Sequence, residues 1–425
     1  MKKKSESILK EVLEKITPSR KELDNIKSNL KEFLKKLEKR IKVLKINAEI
    51  FVGGSLAKNT LIRKDVYDAD IFVRFDKKYK DNEISNLTNK ILKGFTKASI
   101  IHGSRDYFKV KLNPDFYLEI IPVIKVKSPK KARNITDLSY SHVRYVNQKL
   151  KSKKILDEVR IAKAFCYANN CYGAESYIKG FSGYSLELLI YYYGSFLKFI
   201  RNIKKTKDKI IIDIEKHYKN KQTVLMDINS SKLQSPIILI DPTYKQRNAL
   251  AALSYETFEK FKKNCRDFLK NPSLKSFETK IVNIDKIKKG AIKKKFEFIK
   301  IKINTTKQEG DVAGTKLLKF HNHLKKEIEE FFLIKNYGFL YDHKKSAECF
   351  FVVKSKQEIL YEGPSIKQKE NMKKFKKKHK NTFIKKNRIY SKKKITFNIK
   401  KFILDWKKKN NRKISEMYVK DLGII

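Results

Sequence analysis

Two glycines followed at short range by two aspartates constrain this chain more than any other feature. Gly53-Gly54-Ser55 closes a short apolar run from Ala48 to Val52, and Asp68-Ala69-Asp70 opens another, Ile71-Phe72-Val73. In a strand, residues i and i+2 project from one face, so Asp68 and Asp70 stand side by side. Two carboxylates that close repel each other unless a cation separates them. A hard divalent ion with oxygen ligands, Mg2+ above all, suits the place. Gly53 and Gly54 let the backbone approach an anion, with the amides of Ser55 and Leu56 as donors if a short helix starts there. A third acid, Glu119, interrupts the nearly all-apolar run from Phe116 to Val126. A carboxylate there is costly unless it is paired or metal-bound. Phosphate cradle, metal ligands and an aligned nucleophile are the needs of phosphoryl or nucleotidyl transfer.

The periodicity around this centre predicts an α/β head. Leu23, Ile26, Leu30, Phe33, Leu34, Leu37 and Ile41 recur every three or four residues, so residues 5–44 read as helices, broken at Thr17-Pro18 and restarted by a Ser19/Glu22 capping box. Strands are expected at 48–52, 69–75, 107–112 and 116–126, with a helix over 87–98. Helices return over 159–169 and 184–200, where Tyr191-Tyr192-Tyr193 reads as core packing. Residues 204–232 are poorly patterned and read as a loop. Residues 236–254 read as a strand and a helix start, and Asn271-Pro272 precedes a boundary. Beyond it, 296–303 and 347–353 read as strands and 317–332 as a helix. The chain thus divides into a catalytic head (1–150), a helical central neck (151–275) and an α+β body and tail (276–425).

At 425 residues with 41% apolar content, the chain can build real cores. No run is long and apolar enough for a membrane span, and the N-terminus lacks a signal-peptide core, so a cytoplasmic protein is expected. Cys166, Cys171, Cys265 and Cys349 are too scattered for a disulfide framework or a zinc site and read as buried thiols. The net charge of +54 points to a polyanionic partner. Codon bias accounts for some of the lysine, but not for the failure of acids to balance it. Lysines from 372 to 394, interleaved with Phe375, Phe383 and Tyr390, fit a nucleic-acid backbone.

These residues resemble the DNA polymerase beta-type nucleotidyltransferases. Further segments resemble the archaeal, class I CCA-adding branch: Glu158-Val159-Arg160-Ile161-Ala162-Lys163, Tyr172-Gly173-Ala174-Glu175, Gly180-Phe181-Ser182-Gly183-Tyr184-Ser185-Leu186-Glu187-Leu188-Leu189-Ile190, Asp241-Pro242 with Arg247-Asn248-Ala249-Leu250-Ala251-Ala252-Leu253-Ser254, and Glu362-Gly363-Pro364. The resemblance implies a mixed α+β multidomain fold. It also implies untemplated addition of C, C and A to the tRNA 3′ end from CTP and ATP. By that likeness Asp68, Asp70 and Glu119 are catalytic and hold two Mg2+ ions. Gly54, Ser55, Lys58, Ser139, His142, Lys163 and Tyr172 lie near the triphosphate or ribose, and Arg247 reads the base. tRNA is the partner, and a homodimer is suggested. The chain departs from the family pattern in four places. Asp68 stands for a usual Glu and Glu119 for a usual Asp, while Lys58 and Leu138 each replace an Arg. Another terminal nucleotidyltransferase, or a tRNA-binding protein with a decayed site, are the alternative readings.

Overall fold

The computed structural model describes residues 2–93, 95–103, 105–279 and 282–425. The chain folds as two compact units, Met1–Lys280 and Ile281–Ile425. The first unit begins with α1 (Lys2–Ile16) and α2 (Arg20–Val43). The Ser19 capping box forms as expected: its backbone N–H donates to Glu22 at 2.7 Å, and the Glu22 N–H returns to Ser19 Oγ at 3.2 Å. Such a cap contributes about 1 kcal/mol. Ile26, Leu30, Phe33, Leu37 and Ile41 form the buried stripe of α2.

There follow β1 (Ala48–Val52), α3 (Gly54–Ala57), β2 (Tyr67–Phe75), α4 (Asp81–Leu92), β3 (Ala98–Ile101), β4 (Tyr107–Asn113) and β5 (Phe116–Ile124). The five strands form one mixed sheet in the order β1-β2-β5-β4-β3. Only β2 and β5 run parallel. The helix expected over 87–98 is displaced: α4 ends at Leu92, and Ala98–Ile101 pairs with β4 instead. Ile84, Thr88, Ile91 and Leu92 carry the helix's buried face, while β-branched Ile100 and Ile101 favour the pleated edge.

The helical half comprises α5 (Ser139–Lys149), α6 (Lys153–Ala168), α7 (Gly183–Tyr193), α8 (Phe196–Ile203), β6 (Ile210–Ile212), α9 (Lys221–Asp227), β7 (Ile237–Asp241), β8 (Tyr244–Asn248) and α10 (Tyr255–Lys270). The single helix expected over 184–200 is in fact two. Gly194 ends α7 in the left-handed region at φ 77°, and the Ser195 side chain caps α8 by accepting from the Lys198 N–H. Tyr192 is half exposed and not core. The expected loop at 204–232 holds β6 and α9, and β7 with β8 forms a hairpin.

Among the described residues, two large hydrophobic cores lie within this unit, beside a small cluster of Val224, Ile228, Ile238 and Ile240. One joins α2, α4 and the five-stranded sheet. The other gathers Phe165, Phe181, Phe196, Phe199, Phe261 and Phe268, all fully buried. Leu9 is part of that second core, with Ile8, Leu13 and Ile16 packed against it, so α1 belongs to the helical half. Truncating one of the central phenylalanines to alanine costs about 3–5 kcal/mol. All four cysteines are buried thiols outside any disulfide among the described residues.

The second unit contains α11 (Ile284–Lys293), β9 (Glu297–Thr305), α12 (Asp311–Phe331), β10 (Phe332–Tyr341), β11 (Ser346–Ser355), β12 (Glu358–Ser365), α13 (Lys369–Lys378), β13 (Thr382–Lys385), β14 (Arg388–Lys394), α14 (Ile399–Lys409), α15 (Asn411–Glu416) and β15 (Val419–Ile424). One antiparallel sheet runs β10-β11-β9-β15, and a smaller one runs β12-β14-β13. The lysine-rich stretch is folded: Phe375 packs over Gly363 and stacks on His379 with ring centres 4.4 Å apart, while its lysines stay exposed. No helix of the described residues is long and apolar enough to cross a membrane.

Candidate active site

The acidic cluster is positioned by sheet register. Asp70 on β2 pairs directly with Glu119 on β5, and Asp68 pairs with Tyr117. Directly paired residues share a face, so all three carboxylates project from one side. β1 delivers the glycine turn beneath them. The Gly53 N–H donates to the Asp70 carbonyl at 2.8 Å. Gly54 has φ 63°, and a Cβ there would collide with Asp70 Oδ2. We therefore predict that Gly54→Ala strains the turn and displaces Asp70, lowering the melting temperature by a few degrees. An unchanged melting curve would refute it.

Burial, then repulsion from Asp68, raises the Asp70 carboxyl to about 6. Burial, then Asp70 and Asp68, raises Glu119 to about 7. Each group thus resists ionisation because it is buried beside other carboxylates, more than the nearby lysines offset. Lys64 Nζ supplies part of that offset, 3.0 Å from Asp68 Oδ1. Among the described residues no three acidic, histidine or cysteine side chains already converge as a metal cage. As a donor set, however, the cluster fits a divalent cation: hard oxygens on one face, mutually destabilised as anions.

A cationic layer lies beside the acids. Lys58 follows α3, and its ammonium sits 2.6 Å from Glu187 on α7. Lys163 on α6 reaches the same carboxylate at 3.0 Å and Thr60 Oγ1 at 2.7 Å. Glu187 is fully buried. Burial alone would raise its pKa, but Lys58 and Lys163 hold it below the usual range. One carboxylate shared by two ammonium groups leaves each under-compensated. Burial accordingly draws Lys163 down to about 8 against the pull of Glu187, with Lys58 adding to the fall. Arg160, one turn before Lys163, donates to the carbonyls of Leu61 at 3.1 Å and Asn59 at 2.6 Å. It fixes the loop that carries Lys58 and Thr60.

On the other side of Lys58, Asp241 at the end of β7 collects a third group. Its carboxylate is inaccessible and lies 2.9 Å from His142 Nε2, 2.6 Å from Arg247 and 3.0 Å from the Tyr184 hydroxyl. Burial would raise the Asp241 carboxyl, but His142 and Arg247 hold it far below the ordinary range. Burial depresses His142 despite Asp241. The His142 ring stacks on Tyr184 at 4.2 Å, and Lys58 lies 6.0 Å from the Tyr184 ring centre.

Of the expected site residues, Lys58, Lys163, His142 and Arg247 are thus linked through Glu187, Tyr184 and Asp241. Ser139 begins α5 one turn before His142, and Ser55 sits in α3. The Tyr172 hydroxyl and Lys163 Nζ lie 2.9 and 3.6 Å from where a Cβ on Gly183 would stand. Leu138 is buried, 1% exposed, so that position offers no polar group. The link from β5 into α5 is held by buried Asp137, which pairs with Arg105 and accepts from the Ile124 N–H at 2.9 Å. Sequence reasoning gave no role to Glu187, Asp241, Thr60 or Arg160. For the two acids a signal existed: Glu187 is the only charge in the helix Gly183–Tyr193, and Asp241 ends the run Ile237-Ile238-Leu239-Ile240.

Sheet, glycine turn and helical half together have the architecture of a nucleotidyltransferase. A solved structure of the Cid1 poly(U) polymerase shares the fold, with a TM-score of 0.51 at 14% identity over 64% of this chain and 98% of that one. A cytoplasmic RNA terminal U-transferase gives 0.50, over 66% and 100%. Residues 157–278 match the family described as tRNA nucleotidyltransferase, second domain. Residues 1–147 match the second messenger oligonucleotide or dinucleotide synthetase domain. The CCA-adding enzyme of Nanoarchaeum equitans is 33% identical over 89% of this chain and 91% of its own length. That of Methanocaldococcus jannaschii is 30% identical over 91% and 87%. The chain belongs to the CCA-adding enzyme family.

Proposed function

We propose that this chain, a tRNA nucleotidyltransferase by family, adds C, C and A in turn to the tRNA 3′ end from CTP and ATP without a nucleic-acid template. Asp68, Asp70 and Glu119 would hold Mg2+. Those ions, when bound, would acidify the attacking 3′-hydroxyl and offset charge on the departing pyrophosphate. Lys58 and Lys163 attract the triphosphate, and the turn at Gly54 lets phosphate oxygens approach backbone N–H groups. Arg247 leaves several donors free after its bond to Asp241, and a fixed guanidinium suits the hydrogen-bonding edge of C or A. The exposed lysines of 373–394 bind the tRNA backbone by charge rather than sequence. The division into head, neck and body is part of this reading; separate cores in the sheet, the helical half and the second unit support it, although α1 and residues 145–150 pack with the helical half.

The observation that most supports this reading is the direct register of Asp70 with Glu119 above the Gly54 turn. Incubation with Mg2+, CTP, ATP and a tRNA lacking its last three nucleotides is expected to extend it by three and stop. Longer untemplated runs would indicate another terminal transferase. Tight tRNA binding without incorporation, unrescued by Glu119→Asp, would indicate a decayed site.

A further inference from the structure

Two aromatic stacks flank the Lys58–Glu187–Lys163 layer, and the proposed function uses only one fully. On one side His142 stacks on Tyr184 beside Arg247, the place given above to the incoming base. On the other, Tyr172 stacks on Tyr167, with ring centres 4.0 Å apart and planes 18° from parallel. Tyr167 lies on α6 one turn after Lys163 and is 37% exposed. It continues the aromatic layer outward from Tyr172. The Lys64 ammonium, 5.4 Å from the Tyr167 ring centre, bridges that ring to Asp68. Asp68 is itself on the open side of the acidic cluster, its side chain 48% exposed.

An accessible ring, a cation and a carboxylate edge thus occur in a row. They match the three parts of a nucleic-acid terminus: a base with a π-face, a phosphodiester and a 3′-hydroxyl. We propose that Tyr167 is the platform on which the terminal base of the RNA being extended stacks, with Lys64 at its last phosphodiester and its 3′-hydroxyl beside Asp68. This rests on the nucleotidyltransferase reading above. It also suits that chemistry, because the terminal base changes after each addition. Stacking accepts every base, whereas hydrogen-bond readout would reject some.

The test uses the full-length protein and a tRNA carrying 2-aminopurine at its 3′ end. With no triphosphate present, the wild type and Tyr167→Phe are expected to quench the probe, and Tyr167→Leu to leave it bright. In steady-state extension, Tyr167→Leu is expected to raise the KM for tRNA on the order of tenfold. That rise should be similar for substrates ending before the first C, after one C and after two. The KM for CTP and ATP should stay within about twofold, and Tyr167→Phe should restore the tRNA KM. Quenching equal in all three proteins would overturn the proposal. So would a KM change confined to the triphosphates, which would make Tyr167 a mere support for Tyr172. Because quenching requires no turnover, an inactive wild type would defeat the functional reading without deciding this one.

Discussion

Asp70→Asn is expected to abolish nucleotide addition and, in the same protein, to raise the melting temperature measured without divalent ions. The activity loss should be on the order of a hundred- to a thousandfold or more, as when a group stabilising charge in a transition state is removed. The gain in stability follows from linkage. Burial and Asp68 lift the Asp70 carboxyl from 3.8 in the unfolded chain to about 6 in the fold. Its contribution is therefore fully present below pH 3.8 and lost as pH rises through about 6. At pH 7.5 the folded protein bears a poorly compensated anion, and asparagine removes it. Relief on the order of 1–2 kcal/mol is expected, or a few degrees in Tm. Glu119, raised to about 7 partly by Asp70, should then titrate lower. Scanning fluorimetry in EDTA and in Mg2+ provides the check: Mg2+ should stabilise the wild type and leave the variant unmoved. An active Asp70→Asn protein, or a wild type indifferent to Mg2+, would remove Asp70 from the proposed metal site.

Glu187→Gln is expected to damage stability and nucleotide binding together. Its carboxylate is the shared counter-ion of Lys58 and Lys163 and also accepts from Thr60 Oγ1 at 3.0 Å. Breaking a buried ion pair from one side typically costs about 3–5 kcal/mol, because the remaining charge stays buried. Two ammonium groups would here be left facing each other. Lys163, already drawn down to about 8, should lose its proton more readily still. In the wild type, triphosphate affinity is expected to fall as pH rises past about 8. In the variant the same fall should begin at lower pH. KM for CTP measured from pH 6.5 to 9, alongside Tm, tests both halves. A variant with unchanged melting and an unshifted KM profile would mean that Glu187 does not organise the two lysines.

Most of the head was legible in the sequence because its signals are local. Alternation around Asp68 and Asp70, a single acid in the run 116–126 and the Ser19 box all act within a few residues. The structure accordingly brings Asp70 and Glu119 into register. What escaped lies in pairings across long stretches of chain. Lys58 meets Glu187 129 residues later, and His142 meets Asp241 after 99. No periodicity carries such information. The split between α7 and α8 was missed for the opposite reason. Apolar character continues through it, and only the pair Gly194-Ser195 marks a left-handed stop followed by a new cap. In the neck, the run Ile237–Ile240 suggested a strand, but the return strand Tyr244–Asn248 is polar and was invisible to hydrophobic pattern.

The attachment of α1 to the phenylalanine-rich core sets an order of events during synthesis. The sheet carrying the acids draws its partners from residues 23–126 and can close as soon as they emerge. Leu9 and its neighbours pack instead against residues from 145 to 277. At a ribosomal pace of roughly 5–20 residues per second, that leaves the first helix without its seat for on the order of ten seconds or more. For that interval an amphipathic segment is open to a chaperone or to another nascent chain.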